Sequence, residues 1–101
     1  MVPLALVEVK SRNMASTDHD DIHVSLFKIQ RCLDEVRKLG ASYLVFAAVL
    51  SDGVFVLRID NKEQLAEYAT RIGGRWDRPE RLKCDLETMV IFPIGILKKL
   101  A

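Results

Sequence analysis

Apolar and polar positions alternate at the start of the chain, which is typical of a β-strand. Val7 and Val9 fall on one face of this strand. The opposite face carries Leu6, Glu8 and Lys10. The segment therefore predicts a strand, over residues 3–10, that places two opposite charges on one face.

A helix is predicted after a long polar segment. Residues 11–24 have no hydrophobic period and are rich in residues that favour turns, so we expect a loop there. Ser25 is a favoured N-cap residue, and Gly40 suits the left-handed conformation that often ends a helix. The spacing predicts a helix over residues 25–39. Its apolar stripe is formed by Leu26, Ile29, Leu33 and Val36.

A β-hairpin follows the helix. Tyr43–Leu50 is a continuous apolar run, Ser51-Asp52-Gly53 is a turn signal, and residues 54–59 form a second apolar run. Because the first arm is apolar on both faces, it is predicted to be a central strand.

The last third predicts a second helix and a final strand. Asp60 with Glu63 forms a capping box, and Gly73-Gly74 would end the helix that it opens. Its buried side is expected to hold Leu65, Ala66, Ala69 and Ile72. Thr88–Phe92 is predicted to be the last strand. The order β-α-β-β-α-β indicates an α/β (α+β) fold in which flanking helices cover a mixed sheet of about four strands, in one domain over 1–101.

Composition narrows the class of protein. The chain has 101 residues, 50% of them hydrophobic and 29% charged, which excludes a disordered tail. Its 15 basic and 14 acidic residues give a net charge of +1, so a nucleic acid would have to be bound by a local patch. No apolar run is long enough to span a bilayer, and no signal peptide is recognised, so we expect a cytoplasmic protein without a membrane partner. Cys32 and Cys84 are expected to be reduced cysteines that serve only in packing.

Among the motifs of this sequence, Glu8-Val9-Lys10 indicates a chemical function most specifically. Two side chains that lie two residues apart on a strand are on the same face of it, and they are separated by about 7 Å along the backbone. A carboxylate and the backbone carbonyl of Val9 are ligands that Mg²⁺ accepts, and a neighbouring ammonium can orient water or stabilise a phosphate. By spacing alone, an exposed pair on an edge strand is the commoner explanation.

The order of short motifs resembles the PD-(D/E)XK nuclease superfamily, and most closely its small nuclease-like or Holliday-junction-resolvase-like members from phages and prophages. The resemblance rests on Val7-Glu8-Val9-Lys10-Ser11-Arg12-Asn13, the helix with Lys28 and Gln30, the Ser51-Asp52-Gly53 turn, Gly74-Arg75-Trp76-Asp77-Arg78 and Val90-Ile91-Phe92-Pro93-Ile94.

This resemblance implies a restriction-endonuclease-like core and a metal-dependent DNA endonuclease. Glu8 and the Val9 carbonyl would hold Mg²⁺ or Mn²⁺, and Lys10 would be the catalytic lysine. Lys28 or Gln30 would contact substrate, but two residues apart on a helix do not share a face, so only one of them should point into the site. We expect a polar pocket that holds Glu8 and Lys10 and is lined by the 11–24 loop.

One departure from the family pattern bears on activity. The family carries an Asp ten to twenty residues before the Glu-x-Lys strand, and the residues before Glu8 include no acid. The chain could be a degraded relative, a fragment of a longer product, or a protein in which Asp18, Asp20 or Asp21 replaces that ligand. A single carboxylate would bind Mg²⁺ weakly. The alternative function is therefore a weakened nuclease fold that serves as a DNA-binding or assembly module.

Two further expectations concern partners. Arginines around Trp76 and after the first strand would bind the phosphates of DNA, although interleaved acids also allow a salt-bridged loop around Trp76. These arginines are Arg12, Arg75, Arg78 and Arg81. The first strand is expected at a sheet edge, where apolar strands invite pairing, so we expect a homodimer.

Overall fold

The strands are divided between two sheets that pack against an α-helix. The computed structural model describes residues 4–74 and 86–101. In chain order the described elements are β1 (Ala5–Ser11), β2 (Asp21–Ser25), α1 (Leu26–Leu39), β3 (Tyr43–Leu50), β4 (Gly53–Ile59), a 3-10 helix (Glu63–Glu67), β5 (Thr70–Gly74), β6 (Leu86–Pro93), a 3-10 helix (Ile94–Ile96) and β7 (Lys98–Lys99).

The first sheet is a four-stranded mixed sheet with the order β1-β3-β4-β7. β1 and β3 are parallel, with α1 between them in the chain, and β4 pairs antiparallel with both β3 and β7. The mixed α+β class, the β3–β4 hairpin and the internal place of β3 are therefore confirmed. Gly53 begins β4 with a φ of 150°, a conformation that side chains rarely adopt.

The second sheet corrects the prediction for residues 11–24, because the end of that segment forms β2. β2, β6 and β5 form a three-stranded antiparallel sheet in that order. Ile22 and Val24 are buried and alternate with the half-buried His23, which is the pattern of a strand. The strand predicted to be the last, β6, pairs with β2 and β5 in this sheet, and the short β7 that follows it pairs with β4 in the first sheet.

The prediction of a second helix over residues 60–72 is wrong. Residues 63–67 form one 3-10 turn, in which Leu65 is buried while Ala66 is exposed, and residues 70–74 form β5. The capping pair lies one residue later than predicted: Asn61 accepts from the Gln64 N–H, and the Gln64 side chain accepts from the Asp60 N–H. A short helix is costly to start, and pairing with β6 satisfies the backbone instead. Over residues 4–74 and 86–101, the order of helix and strands is thus β-β-α-β-β-β-β-β.

Helix α1 has the ends that the sequence predicts. The Ser25 hydroxyl accepts a hydrogen bond from the Lys28 N–H at 3.3 Å, and Gly40 closes the helix with a φ of 70°. The buried side chains on α1 are Ile29, Leu33 and Val36. α1 contacts strands of both sheets, so one helix lies where the two sheets meet.

The core joins the inner faces of both sheets. Phe46 of β3 and Phe92 of β6 are fully buried, with ring centroids 5.3 Å apart. Tyr68 packs edge-on against Phe92 at 5.1 Å. These aromatic contacts hold the two sheets together beneath α1.

Candidate active site

β1 presents its charged face to the interior. Leu6 packs against the core, whereas Val7 and Val9 are 54% and 55% exposed on the other face. Because side chains alternate along a strand, Glu8 and Lys10 point to the same side as Leu6, toward α1. A carboxylate and an ammonium thus lie in positions where a purely structural strand would carry apolar side chains.

Glu8 is bound through both carboxylate oxygens. Lys10 Nζ lies 3.4 Å from Glu8 Oε1, and the two side chains are 28% (Glu8) and 25% (Lys10) exposed. The Cys32 thiol of α1 donates a hydrogen bond to Glu8 Oε2 at 3.6 Å. The carboxylate is therefore held in one orientation by one charged and one neutral donor.

Cys32 is a hydrogen-bond donor rather than a nucleophile. Burial raises the pKa of its thiol, and the charge of Glu8 and the hydrogen bond to it raise the pKa further. A thiolate beside Glu8 would face a like charge, so the protonated form is favoured.

An open cavity of about 250 Å³ lies between β1 and α1. Glu8 lines it from the strand, and the helix contributes Lys28, Arg31, Cys32 and Glu35. The helix residues follow the spacing i, i+3, i+4, i+7, which places them on one helix face. Lys28 lines this cavity, whereas Gln30, the expected Lys10 and the residues of the 11–24 loop do not. The expected lining by that loop is therefore wrong.

The loop lies elsewhere because it is bound to the hairpin turn. The Ser51 N–H donates to the Met14 carbonyl, and the Ser16 N–H donates to the Asp52 carboxylate, both at 2.9 Å.

The cavity residues that sequence reasoning missed are Arg31, Cys32 and Glu35. They lie three, four and seven residues after Lys28, so helical spacing alone would have placed them on the same helix face as Lys28.

A second cluster surrounds the end of β1. Arg12 donates to the His23 carbonyl at 3.4 Å, and Arg71 donates to His23 Nδ1 at 2.7 Å. Since a guanidinium can only donate, His23 carries its proton on Nε2, which lies 2.8 Å from the Asp21 carboxylate. Asp21 and Arg12 line a separate cavity of about 260 Å³.

The structure does not bring Asp18, Asp20 or Asp21 into the cavity that Glu8 lines. Asp21 binds His23, and Asp20 is exposed and lines neither cavity. Arg12 lies within the described residues, whereas Arg75, Arg78 and Arg81 lie outside them, as does Cys84.

The donor set for a divalent metal is small. In residues 4–74 and 86–101, no three His, Cys, Asp or Glu side chains are grouped so that they could hold a metal ion. The Glu8 carboxylate and the Val9 carbonyl are oxygen donors of the kind that Mg²⁺ prefers, but they complete only part of its coordination. These donors fit a weakly held ion whose other ligands are water and substrate oxygens.

A Glu-x-Lys strand followed by a helix and a second, parallel strand is compatible with the core of a restriction-endonuclease-like nuclease. The chain matches the family model described as "Phage putative PDDEXK endonuclease" over residues 2–100, and it belongs to that family. No curated protein and no solved structure gives a significant match. None of the helices in the described part of the chain is long and apolar enough to span a membrane.

Proposed function

We propose that this chain is a DNA endonuclease that needs a divalent metal ion and forms a single nuclease-like domain over residues 1–101. One observation carries the proposal: Glu8 and Lys10 form a half-buried ion pair on the inner face of β1, beside a cavity. Family membership supports the same reaction class. A phage or prophage origin would place the protein in the cytoplasm of the host cell.

Lys10 is the proposed catalytic lysine. Its ammonium lies beside the carboxylate that would hold the metal, where it can orient the attacking water or stabilise the charge that develops on the phosphate. Lys28 and Arg31 would bind the phosphate from the helix side of the cavity. Lys28 is preferred to Gln30 for this role because Lys28 lines the cavity.

Mg²⁺ or Mn²⁺ would be held by Glu8 and the Val9 carbonyl. When bound, the ion would polarise the phosphate and lower the pKa of a bound water. Mg²⁺ keeps several waters and commonly completes its coordination with substrate phosphate. We therefore propose that the ion binds weakly to the free protein and more tightly when DNA is present.

The second candidate function is a DNA-binding or assembly module without cleavage. The observation that favours it is the absence, among the described residues, of three His, Cys, Asp or Glu side chains grouped to hold a metal ion, together with the hydrogen bond from Cys32 that occupies one oxygen of Glu8. In that case Arg12, Arg75, Arg78 and Arg81 would bind the phosphate backbone, and the binding would weaken steeply with salt.

Cleavage of linear and branched DNA with Mg²⁺ or Mn²⁺ tests the two candidates on one preparation. Lys10→Ala should reduce cleavage at least a hundredfold, because general acid–base and electrostatic contributions are of about that size. Lys62→Ala is the matched control, because Lys62 forms an exposed ion pair with Asp34. Salt-sensitive binding without cleavage would favour the module, and neither binding nor cleavage would contradict both candidates.

The homodimer remains a proposal as well. Among the described residues, β1 is the terminal strand of its sheet, and Val7 and Val9 are exposed along it. Such an edge is suited to pairing with a second copy.

A further inference from the structure

One edge of β1 carries unpaired backbone groups. The Leu4 carbonyl accepts from the Ser42 N–H at 2.8 Å, and the Arg12 N–H donates to the Val49 carbonyl at 3.0 Å. Even-numbered residues of β1 therefore direct their N–H and C=O groups toward β3. Since successive residues alternate, the odd-numbered residues direct theirs to the opposite edge. In the described part of the chain no strand pairs with β1 on that side.

The charges on β1 select one way for a second copy to pair there. In an antiparallel pair with two-fold symmetry, an odd-numbered residue must lie opposite an odd-numbered residue. A two-fold axis at Glu8 or at Lys10 would place like charges opposite each other. An axis at Val7 would place Glu8 opposite the partner's Leu6. An axis at Val9 alone places each Glu8 opposite the Lys10 of the partner subunit.

We propose that two copies of the chain pair through antiparallel β1 strands with the two-fold axis at Val9. The pairing would add about six backbone hydrogen bonds, and each cross-strand pair of Glu8 and Lys10 would be of opposite charge. A strand pair of this length buries less than the roughly 1,200 Å² of a standard interface, so the dimer dissociates readily.

This dimer also closes the candidate site, a consequence that rests on the proposed function. In the pair, the Val9 carbonyl accepts from the partner's Val9 N–H, and Glu8 faces the Lys10 of the partner subunit. The oxygen donors proposed for the metal are then occupied. The dimer is therefore the resting form, and binding of metal with DNA favours the monomer.

Disulfide cross-linking tests the register without any need for cleavage. Residues opposite each other in a hydrogen-bonded pair have Cα atoms about 5.5 Å apart, within disulfide range. Val9→Cys should therefore give a covalent dimer under mild oxidation, mapped by mass spectrometry of the linked peptides. Val7→Cys is the matched control, because Val7 and Val9 are equally exposed. Two thiols introduced at position 7 would lie about 13 Å apart.

Charge reversal gives a second, independent reading by sedimentation velocity at tens of micromolar. Glu8→Lys and Lys10→Glu should each lower the dimer fraction at least tenfold, whereas the double reversal restores the opposite pairs and the dimer. A monomeric wild type, cross-linking through Val7→Cys instead of Val9→Cys, or single reversals that still dimerise would overturn the proposed pairing.

Adding duplex DNA with Mn²⁺ to the Val9→Cys variant tests the closure, with DNA binding followed by fluorescence anisotropy in the same sample. We expect the yield of cross-linked dimer to fall at least threefold as DNA binds. An unchanged yield with DNA bound would overturn the closure. Absence of DNA binding would instead contradict the proposed function, and the pairing would be decided by the cross-link alone.

Discussion

β1 and β3 lie side by side in one sheet and face the same helix, but they fill that face differently. Phe46 of β3 lies opposite Glu8, and Ala48 lies opposite Lys10. The two β3 side chains are fully buried, whereas the β1 pair keeps about a quarter of its surface exposed. Moving two charges partly out of water costs free energy that their attraction only partly offsets. β3 thus holds the fold together, and β1 carries charges that stability does not explain.

The largest expected effect is on the β3 side of this comparison. Phe46→Ala removes a fully buried ring that packs on Phe92. We expect the free energy of unfolding to fall by about 3–5 kcal/mol, the usual cost of truncating a buried aromatic residue. Urea denaturation followed by circular dichroism measures it. A loss below about 1 kcal/mol would show that Phe46 does not join the two sheets.

The same comparison explains which parts of the fold the sequence predicts. Ser25, Gly40 and the Ser51-Asp52-Gly53 turn act on their immediate neighbours, so α1 and the β3–β4 hairpin follow from local pattern. β2 and β5 are five residues each and pair with β6, far away in the chain. Their partner is not visible to local reasoning, which took one for a loop and the other for the end of a helix.

The candidate site also has a part that the local sequence pattern predicts and a part that it does not. Alternation along β1 was enough to place Glu8 and Lys10 on one face. The contact between Cys32 and Glu8 joins residues 24 positions apart and depends on how α1 lies over β1. Sequence reasoning treated Cys32 as a packing residue, because nothing in the local pattern indicates which strand the helix covers.

An intermediate effect is expected when β1 is made to resemble β3. The double substitution Glu8→Leu/Lys10→Met replaces the half-buried ion pair with apolar side chains of similar size. We expect the free energy of unfolding to change by less than about 1 kcal/mol, or to rise, because replacing an ion pair by apolar groups is often neutral or stabilising. The proposed cleavage should be lost.

Lys10→Met alone is the matched control for the double substitution. It leaves Glu8 without its ammonium partner, so it should destabilise the chain more than the double substitution does. The free energy of unfolding by urea and the rate of DNA cleavage are to be measured for the unsubstituted chain, the double variant and Lys10→Met. A double variant that loses more than about 2 kcal/mol would mean that the ion pair itself holds β1 in place.

The smallest expected effect concerns the Cys32 thiol, which joins α1 to the charged face of β1. Burial raises the pKa of Cys32 above its ordinary 9.0, and the charge of Glu8 adds to the rise. The protonated thiol thus stabilises the folded chain below pH 9.0, and this contribution is lost as the pH rises through the raised pKa. The alkylation rate of Cys32 against pH, mapped by peptide mass spectrometry, should show a midpoint above 9.0 that moves down in Glu8→Gln. Glu67→Gln, which changes an exposed carboxylate at the end of the 3-10 helix, should leave the midpoint unchanged. If Glu8→Gln also leaves it unchanged, the Glu8 carboxylate does not face α1, and the charged face of β1 has been assigned to the wrong side of the sheet.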